Sequence, residues 1–269
     1  MKYKALCFFL VSNTLSALTE MPWFYPPFEC QFGAVVDPNF FRDVKDGFNP
    51  VRYHSNNVLA EVSLLVPITE AIDIETELTL QKSSKYSFGF ESVALQGRMQ
   101  FLDDLSGDPV SLDAGLNVRI VSGQRLRDVA TPYHNLANFE LTGAVGKEWS
   151  SKGDFVARSY LTLGVGEAIR GYPWVRFFLR GEVKPLTVLS FNGFLRGYFG
   201  TGPENHVNVS KFSSYAFIQH QNIDVGGGAT WFFRLYGELS FNYAIRLFAH
   251  AFPDKYQSFC LSYTIPFSL

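Results

Sequence analysis

Charge is scarce in this chain of 269 residues: Asp, Glu, Lys and Arg make up 18% of it, against about 25% in a soluble domain. The balance is a net charge of −2 with no basic stripe, which excludes an electrostatic case for a nucleic-acid partner. Cysteine is nearly absent; Cys7, Cys30 and Cys260 have no paired spacing, and His54, His134, His206, His220 and His250 have no His-x-x-x-His cadence. No metal or other cofactor is therefore expected. Gly164-Val165-Gly166 and Gly226-Gly227-Gly228 are followed by neither the lysine nor the helix of a phosphate loop, and read as strand glycines allowing close approach. No apolar uncharged run reaches the roughly 18 residues of a membrane-spanning helix.

Apolar material is nonetheless abundant, at 47% hydrophobic and 16% aromatic, with 27 Phe and 13 Tyr. Such a composition without a helical span fits a sheet whose apolar face meets lipid. At the N-terminus Lys2 and Lys4 precede the apolar stretch ALCFFLV at 5–11 and the small residues Ser16 and Ala17. This order expects a secretory signal peptide over 1–17 and a single barrel domain over 18–269.

Extended segments with turn signals between them are expected near 28–36, 57–67, 71–82, 90–102, 110–122, 137–149, 154–166, 172–183, 187–199, 214–233, 238–249 and 256–267. In the third, Ile72, Ile74, Thr76, Leu78 and Leu80 alternate with Asp73, Glu75, Glu77, Thr79 and Gln81. A strand sends successive side chains to opposite faces, so one face is apolar and the other polar. The fifth and eleventh segments repeat the pattern. Connections after even-numbered segments are mostly short, whereas 38–56, 122–136 and 200–213 are long. That asymmetry fits a membrane barrel with both termini at one end. Aromatics gather at segment ends, with Phe101, Trp149, Phe155, Trp231 and Phe233 at one edge and Phe88, Tyr172, Trp174, Phe199 and Phe248 at the other. Rings favour the lipid–water boundary, and two girdles are expected. The fold expected is all-β, a closed antiparallel up-and-down transmembrane β-barrel of about twelve strands.

In the last seven residues Tyr263, Ile265, Phe267 and Leu269 put a bulky apolar side chain at every second position. This resembles the C-terminal insertion signal of bacterial outer-membrane barrels. That family usually ends on Phe or Trp; here Phe267 sits two places early, and Pro266 interrupts the ladder donors. The resemblance implies an outer-membrane location, membrane lipid as solvent and the barrel-assembly machinery as a partner.

If the apolar faces look outward, function must reside inside. The inward residues expected to line a pore are Glu61, Asp73, Glu75, Glu77, Arg98, Asp113, Arg119, Arg158, Arg176, Arg180, Arg196 and Arg246. Acids concentrate on the first three segments, and Arg158, Arg176, Arg180 and Arg196 on the seventh to ninth. Facing walls of opposite charge resemble the constriction zone of porins, and imply a narrow passive channel for small solutes. Tyr160, Trp174, Phe178 and Tyr198 fall on the inner face, and 38–56 is long enough to fold inward as a constriction loop. The alternative is a structural or surface-interaction barrel whose lumen is filled by paired charges. A third reading, a lipid-modifying enzyme, would need His206 to meet Ser210, or His220 to meet Ser214. Cys30 shares the outer face with Phe28 and Phe32, and Cys260 the inner face with Ser258 and Ser262, so both are expected as free thiols.

Overall fold

The computed structural model describes residues 18–151, 154–233 and 236–268; the expected signal peptide lies outside the described residues. Twelve long antiparallel strands close on themselves: β1 (Glu29–Asp46), β2 (Asn49–Thr69), β3 (Ile72–Lys82), β4 (Gly89–Leu102), β5 (Ser111–Val121), β6 (Ala137–Ser151), β7 (Asp154–Ala168), β8 (Trp174–Leu186), β9 (Leu189–Gly200), β10 (Gln221–Phe233), β11 (Gly237–His250) and β13 (Gln257–Ser268). A two-residue strand, β12 (Pro253–Asp254), pairs with the far end of β1. Each long strand pairs with its neighbours in sequence, and the seam joins β13 to β1 from Glu29 opposite Ser268 to Phe40 opposite Gln257. Closure leaves no sheet edge, as lipid requires, because acyl chains offer backbone amides no partner.

The faces are reversed relative to a soluble protein. Along β3 the buried residues are Asp73, Glu75, Glu77, Thr79 and Gln81, while Ile72, Ile74 and Leu78 are about 40% exposed. Leu116, Leu141, Leu163, Val165 and Leu179 likewise point out from the middle of their strands. A surface this apolar on a folded chain is stable only against a hydrocarbon medium. The outer aromatics fall as expected at Phe101, Trp149, Trp231 and Phe233 at one end and Phe88, Tyr172 and Phe248 at the other. Trp174, expected both in the girdle and on the inner face, is on the inner face: it is buried and packed on His134, because its position in β8 has inward parity.

The segment 38–56 is corrected. It forms no inward loop; β1 and β2 continue as one long hairpin whose turn is Gly47-Phe48, with Gly47 at φ +61. Register with β3 begins only at Val58, so this hairpin rises beyond the wall on that side. The tenth strand begins at Gln221, not near 214; residues 201–220 form a loop with a short 3-10 turn at Val209–Lys211.

Cys30 lies opposite Phe267 in the seam, and Cys260 is seven positions further along β13 on the opposite face. Both are buried and free. Pro266 faces Gln31 of β1, while the register with β11 stops at Thr264. A missing N–H there has a strand neighbour on one side only.

Candidate solute path in the barrel lumen

All twelve residues expected to line the lumen have inward positions, but they are not arranged as two opposed walls. The arginines meet carboxylates on adjoining strands. Arg98 sits directly opposite Asp73 and bonds it at 2.5 Å, with Asp113 at 3.4 Å. Arg158 faces Glu182 at 2.9 Å, and Arg180 approaches the same carboxylate at 3.6 Å. Asp224 is flanked in register by Arg196 and Arg246, at 3.1 and 2.6 Å. Two pairs reach across an intervening strand: Arg119 to Glu77 at 2.6 Å past Ala94, and Arg176 to Glu140 at 2.8 Å past Gly164. A Cβ on Gly164 would lie 3.0 Å from both members of that pair, so this strand glycine makes room for an ion pair. The reason for local pairing is energetic. Charges taken from water need close, hydrogen-bonded partners, and a partner across a wide lumen is too far away.

Three acids are left with an oxygen unpartnered. Asp37, Glu61 and Glu91 are buried, make no ion pair among the described residues, and each keeps one carboxylate oxygen without a hydrogen-bond partner. Asp37 and Glu91 escape a reading by simple alternation. Asp37 precedes Pro38, where a loop start is the natural inference, yet β1 runs on through it. Glu91 is the extra residue of a β-bulge, between Thr79 opposite Ser92 and Leu80 opposite Phe90. The bulge turns both Glu91 and Ser92 inward.

The terminal end of the lumen is occupied by the chain's own residues 18–27. Thr19 N–H donates to Glu75 Oε2 at 2.7 Å, and Arg98 Nη1 donates to the Met21 carbonyl at 2.7 Å. Gln100 donates to the Pro22 carbonyl at 3.0 Å, Thr162 to the Glu20 carbonyl at 2.8 Å, and Trp23 Nε1 to Asp104 at 2.8 Å. The Glu20 carboxylate adds an ion pair with Arg176. Trp23 packs edge-on against Tyr160 in a buried cluster with Phe178, Phe194 and Ala244. A Cβ on Gly146 would meet Pro22 at 2.7 Å and Trp23 at 2.9 Å, so that glycine is the seat of the segment. Phe28, at φ +66, is the corner where the chain leaves the lumen and enters the wall.

The opposite end is capped by two loops. In 122–136 Tyr215 Oη donates to the Val129 carbonyl at 2.8 Å, Tyr198 Oη to that of Pro132 at 3.2 Å, and Thr131 to Gln81 at 3.1 Å. This loop, not 38–56, is the one that folds inward. Phe212, Tyr215 and Ile218 of the 201–220 loop join Phe41, Trp174, Tyr198 and Phe252 in a buried aromatic cluster over the mouth. At its centre His134 Nε2 lies 2.9 Å from His220 Nε2, while His134 Nδ1 lies 3.1 Å from the Tyr172 carbonyl. With Nδ1–H donating to that carbonyl, Nε2 of His134 accepts from Nε2–H of His220. Both rings are thus neutral, and burial holds His134 down to about 4 and His220 well below its ordinary value. The folded cap takes up no proton where an unfolded histidine would, so the stability from His134 is present above about pH 6.5 and is lost as pH falls towards 4. A shift of this size corresponds to about 3 kcal/mol. Urea-unfolding midpoints should fall from pH 7.5 to pH 4.5, and His134→Gln should flatten that dependence. An unchanged slope in the variant would exclude His134 as its source.

Neither histidine meets a serine. His206 bonds Asp46 at 3.1 Å and Ser210 bonds Asn208 at 2.7 Å, while His220 is held by His134. Among the described residues no cluster of ligating groups suits a metal ion.

Space remains beside the N-terminal segment, and beneath the cap on either side of Pro132 and Tyr133. The closed barrel wall with its apolar faces outward superposes on solved outer-membrane barrels. The fold is that of outer-membrane porin-like β-barrels. The COG4313 outer membrane channel from Pseudomonas putida F1 superposes with a TM-score of 0.68 over 91% of this chain and 98% of its own, at 14% identity. The NanC porin does so with a TM-score of 0.56 over 88% of this chain and 100% of its own, at 7% identity. The translocator domain of the autotransporter NalP from Neisseria meningitidis reaches 0.52 over 89% of this chain and 88% of its own, at 10% identity. No family model matches the sequence, and no curated protein is similar to it at a significant level. Barrels of this fold serve as channels and also as translocators, so the interior has to decide between uses.

Proposed function

We propose that this protein is a narrow passive channel for small solutes in the bacterial outer membrane, with its termini on the periplasmic side. The observation that carries the reading is the hydrated-type interior: charged cavities persist at both ends of a lumen that an apolar filling would have closed more cheaply. Two of the similar solved structures are described as an outer membrane channel and a porin. On this reading β13, with Leu261, Ile265 and Phe267 facing out, is the strand offered to the barrel-assembly machinery.

The test is single-channel recording in planar bilayers. Discrete openings are expected. Arg180 is the free lever on selectivity, because its Nε has no partner and its side chain borders the cavity beside the N-terminal segment. Arg180→Glu should move the reversal potential in a salt gradient towards cations, as a reversed charge beside the path favours the opposite ion. An unchanged potential would take Arg180 out of the pathway. The extent of ion pairing supports a second reading, a filled barrel acting through its outer loops. A folded protein that never opens would leave that reading standing.

A further inference from the structure

We propose that the cavity beneath the cap lined by Glu61 and Glu91 is a binding site for a small organic cation, a primary amine carried on an apolar body. The proposal rests on the reading of the lumen as a solute path, and names the class of solute that path holds. Glu61 on β2 and Glu91 on β4 both line this cavity, 4% and 1% exposed, and both present a carboxylate oxygen with no partner. Asp37, fully buried and likewise without an ion pair, lies on β1 opposite Leu59, two residues from Glu61 on β2.

The two arginines that line the cavity, Arg246 and Arg196, are already committed to Asp224. Arg246 spends Nε and Nη2 on Asp224 and Nη1 on the Pro253 carbonyl, at 2.6, 3.0 and 2.8 Å. Arg196 directs Nε and Nη2 to the same carboxylate at 3.2 and 3.1 Å. Glu61 and Glu91 therefore each keep an oxygen unpaired, and in the ionised form a buried carboxylate calls for a charged donor. An ammonium brings three N–H donors and one positive charge. The remaining wall tells what carries it. Phe41, Leu59, Val129 and Phe252 line the same space with apolar surface. A hydrated metal ion would waste that surface; an alkyl or aryl body fills it.

Equilibrium binding of 2-phenylethylamine to the purified full-length protein, folded in detergent, tests the site. Its N,N,N-trimethyl derivative keeps the charge and loses the donors, and 3-phenylpropionate reverses the charge. The amine is expected to bind, the trimethyl form at least tenfold more weakly, and the propionate not measurably. Glu61→Gln with Glu91→Gln should weaken the amine at least tenfold, with heat-modifiable gel mobility reporting that the variant is folded. If the pair does not fold, Glu61→Gln alone should still weaken the amine and leave the propionate unbound. Absence of amine binding, equal affinity for the trimethyl form, or tighter binding of the zwitterion phenylalanine would each overturn the proposal. Bilayer conductance measured on the same preparation separates the two readings. Openings without amine binding remove this site alone, while amine binding by a silent barrel removes the channel.

Discussion

Replacing residues 18–27 with a glycine-serine sequence of equal length is expected to raise the single-channel conductance roughly threefold or more, since a twelve-strand wall encloses more section than its own inward side chains fill. The segment is anchored by polar contacts to four strands and a turn: Glu75 on β3, Arg98 and Gln100 on β4, Thr162 on β7 and Arg176 on β8, with Asp104 in the β4–β5 turn. Its aromatic anchor, Trp23, fills the space between Tyr160 and the Gly146 seat. A glycine-serine chain has neither the ring nor the carboxylate of Glu20, and behaves as a flexible coil. The wall should not suffer, because the strand register does not involve the segment. A folded variant with the parent conductance would show that current does not pass where the segment lies.

The second large effect is expected at Arg98. Asp73 and Asp113 share this one guanidinium at under 5% exposure, and the same group holds the Thr19 and Met21 carbonyls. Arg98→Ala removes the charge and leaves two buried carboxylates uncompensated, a change that costs about 3–5 kcal/mol. Urea titration in lipid vesicles should show the loss. Asp73→Asn in the Arg98→Ala background should recover part of it, because the penalty comes from the abandoned charge rather than from the missing contact. A cost below about 1 kcal/mol for Arg98→Ala would mean that water reaches these acids freely.

How far these features could be read from residues alone depends on the range of the interaction involved. Wall faces were legible because lipid on one side and charge on the other impose a period of two on each strand, as in 72–81. Arg98 opposite Asp73, and Asp224 between Arg196 and Arg246, could have been found by aligning neighbouring strands in register. Glu91 could not, since a bulge breaks the alternation by one residue and leaves no local mark. The 38–56 segment reads as loop because Asp37-Pro38, Gly47 and Asn49-Pro50 are turn formers, yet pairing along the hairpin overrides them. Residues 18–27 carry no periodicity at all. Their place is fixed by contacts to strands 56 to 156 positions away, which no window along the chain can contain.

The N-terminal segment is attached through Phe28 to the very strand that seals the barrel. A tether this short keeps its effective concentration at the millimolar level or above, whatever the dilution of the protein. Peptide of the same sequence added from solution cannot win that contest, and neither can a second copy of the chain. Occupancy of the vestibule is therefore a property of each molecule singly, set by how often its own leash lets go.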